Sequence, residues 1–274
     1  MALPFIPSDA GLLALQAAVV AAPRSIPRPA WLGRFHGRGW ALVPIGSIVV
    51  VVFAIRYVSD TATGLTWLAL IAVPLLAAAA LGWAARGSRP WAALLVIPLF
   101  LLAWLDKNSL AGEASGALLS ALSCVTLGVL LAAVTPPVWL KAGIVLMAIA
   151  DSWLVVSDLL QAPNAALIAA HPPAGLPQLQ SEIFGTVSMG YGDLFVAGVL
   201  GAVLAAQWRR QWQAALLTLA IAAAFDLLFL VISELPATVP VALALLITEG
   251  WERVSAVTRR RPSMRADAIP RQAR

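Results

Sequence analysis

The amino-acid sequence predicts an all-α polytopic membrane protein with eight, or alternatively nine, transmembrane helices. Of the 274 residues, 61% are hydrophobic and only 11% are charged, whereas about 25% charged residues is usual in a soluble domain. The mean hydropathy is +0.89. The apolar runs are hydrophobic on all sides and do not alternate in polarity, which argues against an outer-membrane barrel.

Eight spans are predicted because apolar runs recur at even spacing between short turns rich in Gly, Pro, Arg and Asp. They lie near residues 40–58, 65–85, 91–105, 116–134, 138–160, 181–206, 212–233 and 237–250.

An earlier apolar stretch, residues 10–22, is only 13 residues long, whereas a span needs about 20. We therefore expect a short interfacial helix there. A ninth span, extended back to Pro4 across Asp9, is the alternative. The chain is predicted to divide into an N-terminal segment (1–39), a transmembrane domain (40–252, with a catalytic-like half at 138–250) and a basic, disordered, cytoplasmic tail (253–274).

The basic residues predict the orientation, since Lys and Arg collect on the cytoplasmic side of membrane proteins. Every second loop is basic, which places the segment 24–38 and the C-terminus in the cytoplasm and the loop 161–180 outside. The expected location is a cytoplasmic membrane, and the abundant arginine and alanine favour a bacterial one. Membrane lipids are the expected partners of the basic tail; no nucleic-acid partner is expected, and the oligomeric state stays open.

Cysteine and histidine are too few for several kinds of site. The single cysteine, Cys124, lies in an apolar run, which excludes a disulfide framework, and the chain has two histidines. No metal site is therefore expected.

Three aspartates are predicted to lie deep in the membrane, where an ionisable group costs at least about 2.5–3.5 kcal/mol and is a functional candidate by default. They are Asp151, Asp193 and Asp226, with Asp193 expected near the middle of its span. Asp151 and Asp193 are on consecutive antiparallel spans at matching depth. Two such carboxyls that share a proton can activate water for hydrolysis.

Two local motifs accompany these aspartates. Asp193 ends the run Gly190-Tyr191-Gly192-Asp193, where the glycines allow a helix or an extended backbone to approach closely. The last span opens with Leu-Pro-Ala-Thr-Val-Pro, residues 235–240. Its prolines delay helical hydrogen bonding, which is tolerated at membrane depth only beside protein or water.

An aspartate on one span, GxGD on the next and this proline motif at the last span together resemble the GxGD intramembrane aspartyl proteases, the presenilin and signal peptide peptidase family. The resemblance covers about residues 138–250. It implies that Asp151 and Asp193 are catalytic, that Gly190, Tyr191 and Gly192 form the active-site motif, and that Pro236, Ala237 and Thr238 bind substrate.

The resemblance also implies the chemistry. The reaction uses water without a metal or an organic cofactor, and the substrates are transmembrane proteins or leftover signal peptides. The predicted orientation is similar to signal peptide peptidase. Two positions depart from the family: Ala150 replaces a tyrosine and Thr238 replaces a leucine.

Several alternatives remain open at this stage. Asp158 lies seven residues after Asp151 and competes with it for the first catalytic position, while Asp226 either hydrogen-bonds within the bundle or belongs to a proton path. The alternative functions are a proton-coupled transporter or channel, a prepilin-peptidase-like protease, and a catalytically inactive relative that binds substrate.

Overall fold

The computed structural model describes residues 4–26, 37–43, 46, 50, 61–157, 159, 165–166, 169–170, 172, 175–230 and 235–251. Eight α-helices and one β-hairpin make up the regular structure of this part of the chain. The helices are α1 (Phe5–Ala21), α2 (Thr61–Ala79), α3 (Val96–Leu105), α4 (Leu110–Val134), α5 (Pro137–Val156), α6 (Tyr191–Leu204), α7 (Trp208–Phe225) and α8 (Thr238–Trp251).

Four helices are long and apolar enough to cross a membrane, which supports the predicted membrane class. They are Thr61–Ala84, which is α2 with its π-helical end, Leu110–Val134, Pro137–Val156, and Trp208–Leu228, which is α7 with part of the following 3₁₀ turn. The other four described helices are apolar but shorter. The predicted count of eight or nine spans is therefore not confirmed. Much of the predicted first span, 40–58, and the tail 253–274 lie outside the described residues.

Helix α1 forms where a short apolar helix was predicted, but it does not lie on the outside of the bundle. It packs against α4, α6 and α7, and Leu12 and Val20 are fully buried. At Gly201 of α6 the two helices touch, since a Cβ atom there would lie 2.3 Å from the Val20 carbonyl oxygen. The segment is thus a packed helix of the bundle, but at 17 residues it is shorter than the four candidate spans, so the alternative of a ninth span is not confirmed.

Helices α4 and α6 cross with their backbones in contact, at one glycine from each helix. A Cβ atom on Gly198 would lie 2.4 Å from the Cys124 carbonyl oxygen, and one on Gly128 would lie 2.3 Å from the Gly198 carbonyl oxygen. Such small-residue crossings let transmembrane helices gain close van der Waals contact. This crossing fixes α6, the helix that carries Asp193, against the centre of the molecule.

Residues 181–190 form a β-hairpin, not the first half of a span. Strand β1 (Ser181–Phe184) pairs antiparallel with β2 (Val187–Gly190), and Gly185 has a φ of 63° in the two-residue turn, where glycine is favoured. The prediction of a span over 181–206 was therefore wrong at its start, because α6 begins only at Tyr191.

Three of the basic positions predicted to share one side of the membrane, Arg86, Lys141 and Arg210, lie at one end of the bundle. The Arg86 guanidinium donates to the Ala205 carbonyl at 2.8 Å and to the side chain of Gln211, and it stacks 4.3 Å from the Trp208 ring centre. Desolvation lowers the pKa of Arg86. At the same end Glu249 of α8 binds Lys141 of α5 at 2.7 Å and Arg210 of α7 at 3.2 Å.

Candidate active site

Asp193 lies in the first turn of α6, three residues after the N-cap Gly190. The Gly190 N–H donates to Asp193 Oδ2 at 3.2 Å, so the aspartate caps its own helix. The expectation that Asp193 would lie in mid-span was wrong, because the hairpin occupies the preceding ten residues.

Tyr191 anchors the start of α6 to α4. Its hydroxyl shares a hydrogen bond of 2.6 Å with Ser123 Oγ, and the Cys124 thiol donates to its carbonyl oxygen at 3.8 Å. Gly192, in contrast, has open space where a Cβ atom would stand. The tyrosine thus orients the turn that carries Asp193, and the face of that turn at Gly192 is unobstructed.

Asp151 lies five residues before the end of α5 and reaches the first residue of α8. The Thr238 hydroxyl donates to Asp151 Oδ2 at 2.6 Å, and the Thr238 backbone N–H also donates to this carboxyl. Asp151, a residue of α5, therefore caps the N-terminus of α8. Thr238, which the resemblance assigns to substrate binding, contacts the predicted catalytic carboxyl itself.

Asp151 and Asp193 lie near enough for the charge of Asp151 to act on Asp193. Both residues belong to the described part of the chain, and no hydrogen bond joins their carboxyls. Both residues are partly exposed. Each carboxyl accepts its hydrogen bonds from the start of a helix, α8 for Asp151 and α6 for Asp193.

The other residues of the proline motif form the approach to α8. The Pro236 carbonyl accepts from the Val239 N–H at 3.2 Å in the first turn. The Ala237 carbonyl accepts from the side-chain amide of Gln16, on α1, at 2.9 Å. Sequence analysis did not identify Gln16, because a single polar residue in a short apolar helix gives no indication of its partner.

Asp226 does not join this group. It begins the 3₁₀ turn after α7 and shares a hydrogen bond with Asp9 of α1. The sequence left two alternatives for Asp226, a hydrogen bond within the bundle and a place in a proton path. The contact with Asp9 corresponds to the first. Asp158, the competitor of Asp151, lies outside the described residues.

Glu182 is an acidic residue near the site that the sequence analysis missed. It lies on β1, outside the helices, and is only 1% exposed, yet neither carboxyl oxygen has a hydrogen-bond partner among the described residues. The nearby Ser120 hydroxyl donates to the Leu179 carbonyl at 3.3 Å. Burial, together with the charge of Asp193, raises the pKa of Glu182 to about 8.

The arrangement suits proton transfer to and from a water molecule. One carboxyl, Asp151, accepts two hydrogen bonds from Thr238, and a second carboxyl, Asp193, lies near enough for the two charges to interact. Within the described ranges no group of three or more His, Cys, Asp or Glu side chains is placed to hold a metal ion.

Comparison with protein-family models, with curated protein sequences and with solved structures gives no match to this chain.

Proposed function

We propose that this protein is an intramembrane aspartyl endopeptidase that hydrolyses peptide bonds within transmembrane segments. The supporting observation is the convergence of three segments that are distant in sequence. Asp151 from α5, Asp193 from α6 and Thr238 from the start of α8 meet at one place. The sequence motifs that resemble the protease family contain these same three residues.

In the proposed reaction Asp151 is the base, because the two hydrogen bonds from Thr238 stabilise its anion. Asp151 takes a proton from water, and the water oxygen bonds to the peptide carbonyl carbon. Protonated Asp193 gives its proton to the carbonyl oxygen, forming a tetrahedral diol. The C–N bond then breaks as the nitrogen takes the proton held by Asp151, while a diol hydroxyl returns one to Asp193. One water is consumed, and a carboxyl and an amine are formed.

Substrate binding and membrane topology belong to the same proposal. Pro236, Ala237 and Thr238 border the site, and the turn at Gly192 leaves room for an extended backbone. In this proposal the protein has eight or nine spans, and its C-terminus lies in the cytoplasm of a bacterial cell. The preferred substrates are then single spans with a cytoplasmic N-terminus, including leftover signal peptides. A reporter fused after residue 170 should then be found outside, and a cytoplasmic location would contradict this orientation.

The decisive experiment is cleavage of a tagged single-span reporter by the protein in proteoliposomes. We expect product with the wild type and with Asp226→Ala, and none with Asp151→Ala or Asp193→Ala. The Asp226 variant is the matched control, since it also removes an aspartate that contacts another aspartate, Asp9, but not one that interacts with Asp151 or Asp193. Product that persists without Asp193 would refute the proposal.

A second candidate, a proton-coupled transporter, is favoured by one observation. Asp9 and Asp226 share a hydrogen bond, and Glu182 is buried, so further acids beyond the proposed pair are available within the bundle. Proton flux into dye-loaded proteoliposomes that is lost in Asp226→Asn, with no cleavage of any reporter, would favour transport. Reporter binding without either activity would indicate an inactive relative.

A further inference from the structure

Gln16 is a polar side chain in the middle of the apolar helix α1, and none of its surface is exposed. Its Nε2 atom donates to the Ala237 carbonyl at 2.9 Å, whereas its Oε1 atom has no partner among the described residues. An unsatisfied buried amide oxygen costs about 1–3 kcal/mol. A leucine would pack here without that cost, so packing alone does not account for the glutamine.

The peptide unit that Gln16 holds is the one that caps Asp151. The Ala237 carbonyl and the Thr238 N–H belong to the same planar trans peptide, and they point in opposite directions. Gln16 binds the carbonyl side, and Asp151 accepts from the N–H side. Fixing this plane also sets the start of α8, from which the Thr238 hydroxyl donates to Asp151 at 2.6 Å.

Helix α1 is itself held firmly, so Gln16 has a defined position. The Val20 carbonyl lies where a side chain on Gly201 would stand, which fixes α1 against α6. The Gln211 amide of α7 donates to the Val20 and Pro23 carbonyls at 3.0 and 2.9 Å. A side chain on so fixed a helix can determine where the first residue of another helix lies.

We infer that Gln16 is a positioning residue that orients the Ala237–Thr238 peptide and thereby holds Thr238 against Asp151. Helix α1 is thus part of the functional site, although it lies more than 200 residues from the motif in sequence. The inference rests on the proposed function for its effect on catalysis, whereas the Gln16–Thr238 coupling itself does not depend on any activity.

The test compares Gln16→Met, which keeps the volume of the side chain but removes the donor, with Thr238→Val and with the double variant. We expect Gln16→Met to lower kcat about tenfold with KM within about twofold, since the lost contact acts on the reacting group. In the pH profile of kcat/KM, the midpoint of the acid limb should move up by about half a pH unit, because the Thr238 hydrogen bonds to ionised Asp151 are weakened. Thr238→Val should move it by about one unit.

Non-additivity is the distinctive result. The loss in the double variant should be smaller than the sum of the two single losses, because Gln16 and the Thr238 hydroxyl support Asp151 through the same peptide and helix start. Leu13→Ala, at a buried position of the same helix, is the control: it should lower stability and leave the acid limb unmoved. Additive losses, or an unmoved limb in Gln16→Met, would overturn the inference.

A second measurement separates this inference from the proposed function. In thermal unfolding, the Tm losses of Gln16→Met and Thr238→Val should sum to more than the loss of the double variant, whatever the protein catalyses. If no reporter is cleaved but this coupling is found, only the endopeptidase proposal fails; if cleavage occurs with additive Tm losses, only the positioning role fails. If Gln16→Met does not fold, the milder Gln16→Asn, too short to reach Ala237, should show the same signs.

Discussion

The structure contains two pairs of aspartates, and they differ in what surrounds them. Asp9 and Asp226 contact each other directly through a hydrogen bond. Asp151 and Asp193 interact without a hydrogen bond between their carboxyls, and each accepts hydrogen bonds from the first turn of a helix. A separated pair with outside donors can pass a proton to a third molecule.

The largest difference should appear when one aspartate of each pair is made neutral. We expect Asp193→Asn to lower kcat/KM for a single-span reporter by about 10³-fold or more, since it removes a group that transfers a proton. Asp226→Asn should stay within about threefold. Reporter cleavage rates in proteoliposomes measure both, and a similar loss in the two variants would remove the functional distinction between the pairs.

The helix crossing at Gly198 holds α6, which carries Asp193, whereas Asp9 and Asp226 lie on other elements. A Cβ atom there would lie 2.4 Å from the Cys124 carbonyl oxygen, so Gly198→Ala should force α6 away from α4 and lower the free energy of unfolding by about 3 kcal/mol. Gly192→Ala is the control, because its Cβ would meet open space, and it should unfold like the wild type. Chemical denaturation in detergent compares the two. Equal stabilities would show that the crossing is not tight.

Glu182 should make stability depend on pH in a known direction. Its pKa is about 8 in the folded protein and near 4.5 ordinarily, so between these values the unfolded chain releases a proton that the folded chain keeps. Wild-type stability therefore falls as the pH rises from 5 to 8. Glu182→Gln does not titrate, and its Tm advantage over the wild type should grow by several degrees over that range. A constant Tm difference would contradict the assignment.

The smallest effect is expected at the Asp9–Asp226 pair. Asp226→Ala removes the contact with Asp9, so the Tm should fall by about one or two degrees. Thermal unfolding in detergent measures this loss. If the losses of Asp9→Ala and Asp226→Ala add up in the double variant, the two carboxyls do not interact.

Much of the helical organisation could be predicted from the sequence, because apolar length is a local property. The predicted spans 116–134 and 237–250 correspond to α4 and α8 within a few residues. The hairpin was missed although its signal was present: Ile183 and Val187 are β-branched, and Gly185 lies between the strands. The apolar character of residues 181–206 as a whole concealed this local signal.

The candidate site could be predicted only in part. The motifs identified Asp151, Asp193 and Thr238, and in the structure these three residues lie together. The partners Gln16 and Asp9 could not be found, since hydropathy does not state which helix faces which. A contact between residues 221 positions apart, as from Gln16 to Ala237, depends on how the whole bundle packs.

The ion pairs of Glu249 determine how the site could open. Lys141 and Glu249 join α5 and α8 at ends that lie ten residues from Asp151 and eleven from Thr238, about 15 Å at 1.5 Å per residue. Two helices joined by an ion pair at one end can rotate apart at the other. A rotation of about 8° about the ion pair would move the far ends apart by about 2 Å over that length. This is enough to separate Thr238 from Asp151 while Lys141 and Glu249 stay paired. In the proposed reaction, this separation would remove the Thr238 hydroxyl from Asp151 while the two helices stay joined at their other ends.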